Sequence, residues 1–428
     1  MSRARRYLLD LSPVRESRGF RNLTIGDTIS IVGTQVTAVA IPLQVYDQTR
    51  SAAAVGLVGL VGLVPLVVLG LYGGAVADAV DRRKLVLATT AGQAALSGLL
   101  AFHAVLGLRW TWLLYVVIAV QSALFALEHP ARTAFVPRLL PARLLPSANA
   151  LRLAVFNLGL TLGPLIAGLL VAGVGFSAAY LVDALSFVGG LWAVASLPSM
   201  EPEGGGRPAG LASVIEGLRF LGTRQVLLMT FVVDIVAMVF GMPRALFPSL
   251  ADGVFDGGAS TVGAMFSALA AGALVGAVLG GWFGRVHRQG LAVLVAIVAW
   301  GLCITGFGLT SSLLLGLVLL AGAGAADMVS AAFRTSILQS FAPDEMRGRL
   351  GGVFIVVVAG GPRLGDGRAG GMASWLGVQE SVWVGGLLVI GLTLAIAAFA
   401  PRFVRYDVRH HAPASPPASP TSSEGVRG

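Results

Sequence analysis

Long apolar runs separated by short polar loops recur along nearly the whole chain. Most runs approach or exceed the roughly 20 residues that a helix needs to cross the hydrocarbon core of a bilayer. A membrane β-barrel would instead show short strands that alternate between apolar and polar positions. The pattern therefore predicts an all-α integral membrane protein with about twelve transmembrane helices. The predicted spans are 20–46, 53–78, 85–106, 111–136, 148–172, 176–197, 225–250, 260–283, 290–309, 313–340, 350–376 and 379–401.

The composition and the loop charges support this prediction and give it an orientation. Charged residues make up only 12% of the chain and the mean hydropathy is +0.82, whereas soluble proteins carry about 25% charged residues. Arginines concentrate in alternate loops, which is the positive-inside pattern. We therefore expect both termini in the cytoplasm, and we expect the net charge of +9 to orient the protein rather than to bind nucleic acid. Cys303 is the single cysteine, so it cannot form an intrachain disulfide.

A polar break divides the predicted spans into two sets of six. Its first part, PSMEPEGGGRPAG at 198–210, is typical of a flexible linker. The apolar residues of 211–221 then recur at helical spacing, which predicts a short helix on the inner membrane surface. The predicted domains are a cytoplasmic N-terminal segment at 1–19, a six-helix bundle at 20–197, a cytoplasmic linker with an amphipathic helix at 198–224, a second six-helix bundle at 225–401 and a disordered cytoplasmic tail at 402–428.

Three features recur in register in the two halves, which indicates a duplicated six-helix unit. An aspartate lies in the first span of each half, an Arg-Thr pair closes the fourth, and a Gly-Pro pair lies in the fifth. Parallel repeats of this kind place a substrate site at their interface, near the middle of the bilayer. The recurring residues are Asp27 and Asp234, Arg132 and Arg334, and Pro164 and Pro362.

The segment GLYGGAVADAVDRRKL, at 70–85, brings a cluster of charges to the end of the second span. Its glycines would let another helix approach closely. Asp78 would then leave the membrane just before the basic residues Arg82 and Arg83. Two interpretations remain open at this point: an electrostatic latch onto another helix, or a helix stop with inside-positive charges.

At these motifs the chain resembles the major facilitator superfamily, over essentially all of residues 20–400. GGAVADAVDRRK is similar to the loop motif between the second and third helices of that superfamily, and GLTLGPLIAG is similar to the fifth-helix motif of its proton-driven antiporters. PDEMRGR and the start of the first span resemble the enterobactin-exporter group. The matching residues are Gly74, Asp78, Arg82 and Arg83 in the loop, and Gly159, Gly163, Pro164 and Gly168 in the fifth helix.

The resemblance implies two six-helix bundles around a central cavity, the major facilitator fold. It also implies that Asp78 meets the N-terminal end of the eleventh helix near Gly351 and Gly352, and that a bend at Pro164 seals one side of the cavity, although a plain packing kink is the alternative. Asp81 replaces the usual glycine of the loop motif. The corresponding loop of the second half has Arg285 in place of the acid, so any latch would be one-sided.

Ionisable residues inside the spans are the candidate functional sites, because each costs about 2.5–3.5 kcal/mol on insertion scales. For any one of them, pairing that only holds helices together is the simpler interpretation. In the superfamily, however, the first and fourth helices of each half line the cavity, and several of these residues fall on those helices. The candidate cavity and proton-coupling residues are Asp27, Glu128, Arg132, Asp234, Asp327 and Arg334.

Asp27 and Glu128 are the leading proton sites in this interpretation, with Arg132 as their counter-ion. Substrate arrival or helix motion that separates such a pair would let the acid bind a proton. Asp234 and Asp327 are the second choice. Judged by depth in the spans, Asp27 lies near enough to Arg132 to pair with it, as Asp234 does to Arg334. Two further residues, Arg363 and Asp366, lie three positions apart in the eleventh span and predict an intrahelical ion pair with a structural or gating role.

The sequence thus predicts a secondary active transporter of the cytoplasmic membrane that exports a small amphipathic molecule by alternating access, with protons as the coupling ion. We expect no cofactor, no metal site and no enzyme activity, and we expect a monomer whose partners are the bilayer and its cargo. The cargo is open between a siderophore and drug-like compounds, as in multidrug resistance. A membrane-embedded enzyme or a transporter-like sensor are the alternatives, but neither a catalytic constellation nor a signalling domain is evident.

Overall fold

The computed structural model describes residues 10–201, 211–341 and 344–410, without the side chains of 341–356 and a few others. These residues form twelve long helices: α1 Arg18–Thr49, α2 Ala52–Ala79, α3 Arg82–Val105, α4 Thr111–Thr133, α5 Leu145–Gly173, α6 Phe176–Ala195, α7 Gln225–Gly241, α8 Ala259–Val278, α9 Gln289–Leu309, α10 Leu313–Phe341, α11 Asp344–Leu376 and α12 Val378–Phe399. Shorter helices are Ser12–Glu16, Phe135–Leu139, Leu211–Gly222, Phe247–Gly253 and Pro401–Val404, with 3-10 turns at Ala142–Leu144, Arg244–Leu246, Gly280–Arg285 and Val408–His410.

The twelve long helices confirm the predicted all-α membrane architecture. Eleven of the helices in the described ranges are long and apolar enough to cross a membrane; α11, which carries Arg363, Asp366 and Arg368, is not among them. Since the number of long helices is even, α1 begins and α12 ends on the same face of the bundle, which we call the terminal face. The opposite one is the distal face. The arginine-rich loops predict that the terminal face is cytoplasmic.

Helix packing repeats between the two halves, as the duplicated sequence features predict. In the first half, α1 packs against α5 and α6, α2 packs against α4, and α3 packs against α4 and α6. The second half has the same pattern, with α7 against α11 and α12, α8 against α10, and α9 against α10 and α12. The halves meet where α2 packs on α11 and where α5 packs on α8. We call this boundary the seam.

Glycines allow both seam contacts to be very close near the distal face. A β-carbon added at Gly56 of α2 would lie 2.6 Å from the carbonyl oxygen of Asp366 in α11 and 3.1 Å from Cα of Gly370. A β-carbon added at Gly263 of α8 would lie 2.5 Å from the carbonyl oxygen of Pro164 in α5. Because α2 and α8 both begin at the distal face, these crossings close the seam on that side.

Helices α5 and α11, which carry the recurring Gly-Pro pairs, differ by one turn in register. Gly168, which contacts α8, lies four residues after Pro164, whereas Gly370, which contacts α2, lies eight residues after Pro362. Four residues are about one turn of an α-helix. The Gly-Pro pairs therefore recur in sequence but not at the same height relative to the crossings.

The predicted seventh span at 225–250 is not one continuous helix. Helix α7 ends at Gly241, a 3-10 turn follows at Arg244–Leu246, and a short helix runs over Phe247–Gly253. Pro243 explains the break, because it has no N–H to donate and clashes with the preceding turn. The break places Arg244 on the seam, as described below.

The prediction that the tail is disordered from 402 is wrong for its first nine residues. Helix Pro401–Val404 extends into this segment, a 3-10 turn follows at Val408–His410, and Phe403 and Tyr406 are buried. Gly290 of α9 makes room for the carbonyl group of Phe403, and the Val408 N–H donates to the carbonyl of His287 at 3.1 Å. Two aromatic side chains thus dock this segment. The predicted flexible linker at 198–210 is described only for 198–201, and there Met200 is buried and its carbonyl accepts the Arg82 N–H at 3.2 Å, so this part is docked rather than flexible. Residues 202–210 and the tail from 411 onward lie outside the described residues.

Candidate functional site

In the first half, Arg132 is placed between two carboxylates. Its Nε donates to Glu128 Oε1 at 2.5 Å, one turn earlier on α4, and its Nη1 pairs with Asp27 on α1. Its Nη2 also donates to Thr90 Oγ1 at 3.3 Å, on α3. The predicted partnership of Asp27 with Arg132 is therefore present in the structure.

Glu128 has further donors that hold it in the bundle interior. Its Oε2 accepts hydrogen bonds from Gln93 Nε2 at 2.7 Å and from Thr89 Oγ1 at 3.1 Å, both on α3. Asp27 and Glu128 are buried, and this network joins α1, α3 and α4. Buried charges are stable only when they are paired and hydrogen-bonded in this way.

The second half contains the matching pair in a looser form. Arg334 Nη1 on α10 lies 2.6 Å from Asp234 Oδ1 on α7, so the predicted pairing of these residues is also present. Asp327, two turns earlier on α10, lies 3.8 Å from Arg334 Nη2. The Asp327 side chain is 37% exposed, whereas that of Asp234 is 4% exposed. Arg334 thus binds one carboxylate firmly and a second one weakly.

A cavity of about 620 Å³ lies between the two halves. Asp234, Asp327 and Arg334 line it. The residues Asp27, Glu128 and Arg132 do not belong to its lining, because their side chains turn toward one another and toward α3 inside the first bundle. The expectation that the first and fourth helices of both halves bring their charges to the cavity is therefore wrong for the first half.

The two walls of the cavity differ in chemistry. Every charged residue of the lining comes from the second half, and these residues balance as three acids and three arginines. The first-half wall is apolar apart from Gln35. An amphipathic molecule would therefore find an apolar surface on one side and charged groups on the other. The charged residues are Asp234, Arg244, Asp327, Arg334, Arg363 and Asp366.

The predicted ion pair between Arg363 and Asp366 does not form. Asp366 Oδ2 instead lies 3.7 Å from Arg244 Nη2, on the 3-10 turn after α7. Arg363 crosses the seam, where its Nη1 donates to the carbonyl oxygen of Gly62 on α2 and to Ser122 Oγ on α4 at 3.2 Å. Helical spacing alone gave no indication that both side chains have partners on other helices.

The side chains of the α2–α3 loop form ion pairs and hydrogen bonds within the first half of the protein. Arg82 Nη2 lies 2.9 Å from Asp78 Oδ1. Arg83 donates to the carbonyl oxygens of Val194 and Ala195 at 3.3 and 2.6 Å, at the end of α6, where a cation is favoured by the helix dipole. Gly74 is half-buried in α2. The predicted contact of Asp78 with α11 near Gly351 and Gly352 falls on a segment whose side chains are not described.

Asp81 has a role that the sequence interpretation missed. Its Oδ1 accepts the N–H groups of Arg83 and Lys84 at 2.9 and 3.4 Å, so it caps the start of α3. Its Oδ2 accepts a hydrogen bond from Ser199 Oγ at 2.6 Å, in the segment after α6, and this bond lowers the pKa of the Asp81 carboxyl. The sequence could have indicated this role, because aspartate is a preferred N-cap residue and Asp81 directly precedes the first residue of α3.

The fifth-helix motif packs α5 on both sides. β-Carbons added at Gly159 and Gly163 would lie 2.3 Å from Ile31 Cγ2 and 2.4 Å from Gln35 Cβ, both on α1. On the other side, Gly168 faces α8, and Ser267 Oγ of α8 donates to the carbonyl oxygen of Thr161 at 2.7 Å. Pro164 lies between these contacts, so the motif holds three helices together toward the distal face.

A family model described as transmembrane secretion effector matches residues 9–421. The chain belongs to this family. The enterobactin exporter EntS of Escherichia coli O1:K1 / APEC is 30% identical over 400 residues, which are 91% of this chain and 94% of that protein. EntS of Escherichia coli strain K12 is 29% identical over 409 residues, which are 93% and 96% of the two chains.

Solved structures show the fold of this transmembrane secretion effector family member. The nucleoside transporter NupG (D323A mutant) aligns with a TM-score of 0.75 at 13% identity, over 89% of this chain and all of that one. A bacterial homologue of the iron transporter ferroportin in an inward-facing state aligns with a TM-score of 0.65 at 14% identity, over 90% and 98% of the chains. The fold is that of the major facilitator superfamily.

The family and the fold decide the class of protein. The chain is a multi-pass membrane transporter of the major facilitator type, related to enterobactin exporters, and not an enzyme. Within the described ranges, no group of three or more His, Cys, Asp or Glu side chains could hold a metal ion. For this member of the family, the cavity at the seam is the candidate cargo site.

Proposed function

We propose that the chain is a proton-coupled exporter that moves a small amphipathic molecule across the cytoplasmic membrane by alternating access. The observation that carries the proposal is the seam cavity, which has one apolar and one charged wall and lies below a closed distal face. Rocking of the two halves about this seam would open the cavity to each side in turn. In the orientation that the arginine-rich loops predict, cargo enters from the cytoplasm.

Asp327 is the best-placed acid for proton exchange. It faces the cavity, is more exposed than Asp234, and competes with it for Arg334. Movement of Arg334 toward either carboxylate would leave the other free to take up a proton. We therefore propose Asp327 and Asp234 as the coupling acids, ahead of Asp27 and Glu128. One proton that crosses a membrane potential of 100 mV releases about 2.3 kcal/mol, and this energy can sustain a concentration ratio of the cargo across the membrane.

We propose a siderophore as the cargo, with drug-like compounds as the alternative. The relatives with about 30% identity over 91% of the chain are named enterobactin exporters. The arginines of the second-half wall could receive the anionic groups of such a molecule, while the first-half wall receives its apolar part.

Uptake of enterobactin into everted membrane vesicles tests the proposal. Vesicles with an imposed proton gradient should accumulate it, and an uncoupler should abolish the accumulation. Asp327→Asn should lose the response to the gradient but keep exchange of cargo across the membrane. Asp27→Asn is the matched variant outside the cavity, and it should keep coupling. Accumulation that an uncoupler leaves unchanged would contradict proton coupling, and uptake of drugs without enterobactin would favour the alternative cargo.

A further inference from the structure

Arg363 forms hydrogen bonds across the seam from the second half to the first, near the middle of the bilayer. It lies on α11, yet its hydrogen bonds go to Gly62 on α2 and to Ser122 on α4. Among the residues that the structure describes, no carboxylate oxygen lies within 4.0 Å of its guanidinium. Hydrogen bonds to charged donors are stronger than neutral ones, so this contact stabilises the arrangement in which the distal face is closed.

Asp366, three residues further along α11, has a backbone N–H of the 3-10 turn, that of Ala245, and one loosely placed counter-ion as its partners. Its Oδ2 lies 3.7 Å from Arg244 Nη2, which is beyond hydrogen-bond distance. Asp366 Oδ1 and Arg244 Nε are both buried without a hydrogen-bond partner. A β-carbon added at Gly59 of α2 would lie 2.9 Å from Asp366 Cβ, so this carboxylate sits directly against the first half. It is therefore a half-buried acid beside the seam, with one of its oxygens buried and unsatisfied.

Arg244 is the more exposed member of the pair that it forms with Asp366. Its side chain is 33% exposed, compared with 16% for Asp366, and both line the cavity. An anionic group in the cavity would compete with Asp366 for Arg244. If Arg244 turned to that group, Asp366 would lose its counter-ion, which is costly for a buried carboxylate.

We propose that Arg363 is a lock that changes partners. In the distal-closed state it donates to Gly62 and Ser122, and it moves to Asp366 when an anion in the cavity draws Arg244 away. Residues three apart on a helix lie on the same face, so Asp366 is within reach of the Arg363 side chain. The exchange releases α2 and α4 and lets the distal face open. The cargo step rests on the proposed export function, but the exchange itself requires only these three side chains.

A pair of spin labels across the distal face measures the lock without any cargo. Cys303→Ser removes the single native cysteine, and Leu106→Cys and Ser311→Cys place labels on exposed distal loops of the two halves. The ratio of long to short distances then reports open and closed molecules. Arg363→Gln should raise this ratio by about tenfold, which corresponds to about 1.4 kcal/mol.

Arg244→Gln removes the counter-ion of Asp366, as binding of an anion to Arg244 would. It should therefore also raise the ratio of open to closed molecules by about tenfold. Adding Asp366→Asn to Arg244→Gln removes the acceptor for Arg363 and should restore the closed distances. A structural loosening would not be reversed in this way. The matched control is Arg368→Gln on the same helix, because Arg368 donates to the carbonyl groups of Val239 and Phe240 within its own half. That variant should leave the distances unchanged.

Unchanged spin-label distances in Arg244→Gln would contradict the proposed exchange of partners. So would a double variant that opens the distal face as much as Arg244→Gln alone. Opening in Arg368→Gln as large as that in Arg363→Gln would contradict the exchange as well. If Arg363→Gln does not yield folded protein, the Arg244→Gln pair still decides. Because these distances are recorded without cargo or proton gradient, failure of the export proposal would show only in the vesicle assay.

Discussion

Asp81 illustrates how one side chain fixes the loop that joins α2 to α3. It caps α3 and accepts a hydrogen bond from Ser199 Oγ at 2.6 Å, beyond the end of α6. The Asp78 carboxylate, three residues earlier, pairs with Arg82 in the same loop. Helix capping by aspartate is worth about 0.5–2 kcal/mol. The loop charges therefore act first within their own half, whatever they do across the seam.

The lowered pKa of Asp81 predicts how this loop responds to acid. A depressed folded pKa means that the carboxylate stabilises the loop above its ordinary value of 3.8 and that this contribution is lost as the pH falls through the folded value. A spin label at the exposed Val80 should therefore become more mobile between pH 4 and the lower folded pKa, where the wild-type carboxyl gains its proton. Asp81→Asn does not titrate, so its label mobility should not change over that range. The same acid response in both proteins would contradict the role of Asp81.

At the scale of helices, the contact between α5 and α8 depends on glycine. A β-carbon added at Gly168 would lie 2.6 Å from the carbonyl oxygen of Ala259, whereas nothing lies within 4 Å of one added at Gly173 on the same helix. Overpacking of this kind costs about 1–3 kcal/mol. Gly168→Ala should therefore lower the midpoint of thermal unfolding in detergent, and Gly173→Ala should not. Equal midpoints for the two variants would show that the crossing tolerates a wider separation.

The helices themselves were predictable, because each apolar run is long enough to span a bilayer and the turn residues between them are clear. The pairing of Arg132 with Asp27 also followed, since depth in the span is readable from residue number. Rotation of a helix about its axis is not readable in that way. This rotation determines that the Arg132 side chain faces α3 rather than the cavity. It also determines that the Arg363 side chain contacts α2 rather than Asp366. The docking of Phe403 was missed because a polar, proline-rich composition masks two buried aromatic rings.

At the scale of the whole molecule, an exposed ion pair joins the distal ends of the two halves. Arg50 Nη1, after α1, lies 3.0 Å from Asp252 Oδ2, in the short helix after α7, and Tyr46 Oη donates to the same oxygen at 3.3 Å. Exposed pairs contribute about 0–1 kcal/mol. This pair therefore adjusts the balance between open and closed molecules, while the glycine crossings make the larger contact.

Reversing the charge of Asp252 should shift that balance toward the distal-open state. In Asp252→Arg the new cation repels Arg50, and we expect the open-to-closed ratio to rise by about twofold to fivefold, which corresponds to about 0.4–1 kcal/mol. Distances between distal spin labels provide the measurement. At 1 M salt the Debye length is about 3 Å, so the shift should largely disappear. A shift that persists in high salt would indicate a steric rather than an electrostatic effect.

The confinement of the cavity charges to one half has a consequence for how such a protein can diversify. Residues 225–410 contain every ionisable group of the lining, while the preceding bundle offers a face that is aliphatic and aromatic apart from Gln35. Chimeras that keep the first bundle and exchange the second for that of a relative should therefore inherit the relative's choice of cargo. Cargo selectivity could therefore change through substitutions in the second bundle alone, while the first bundle stays the same.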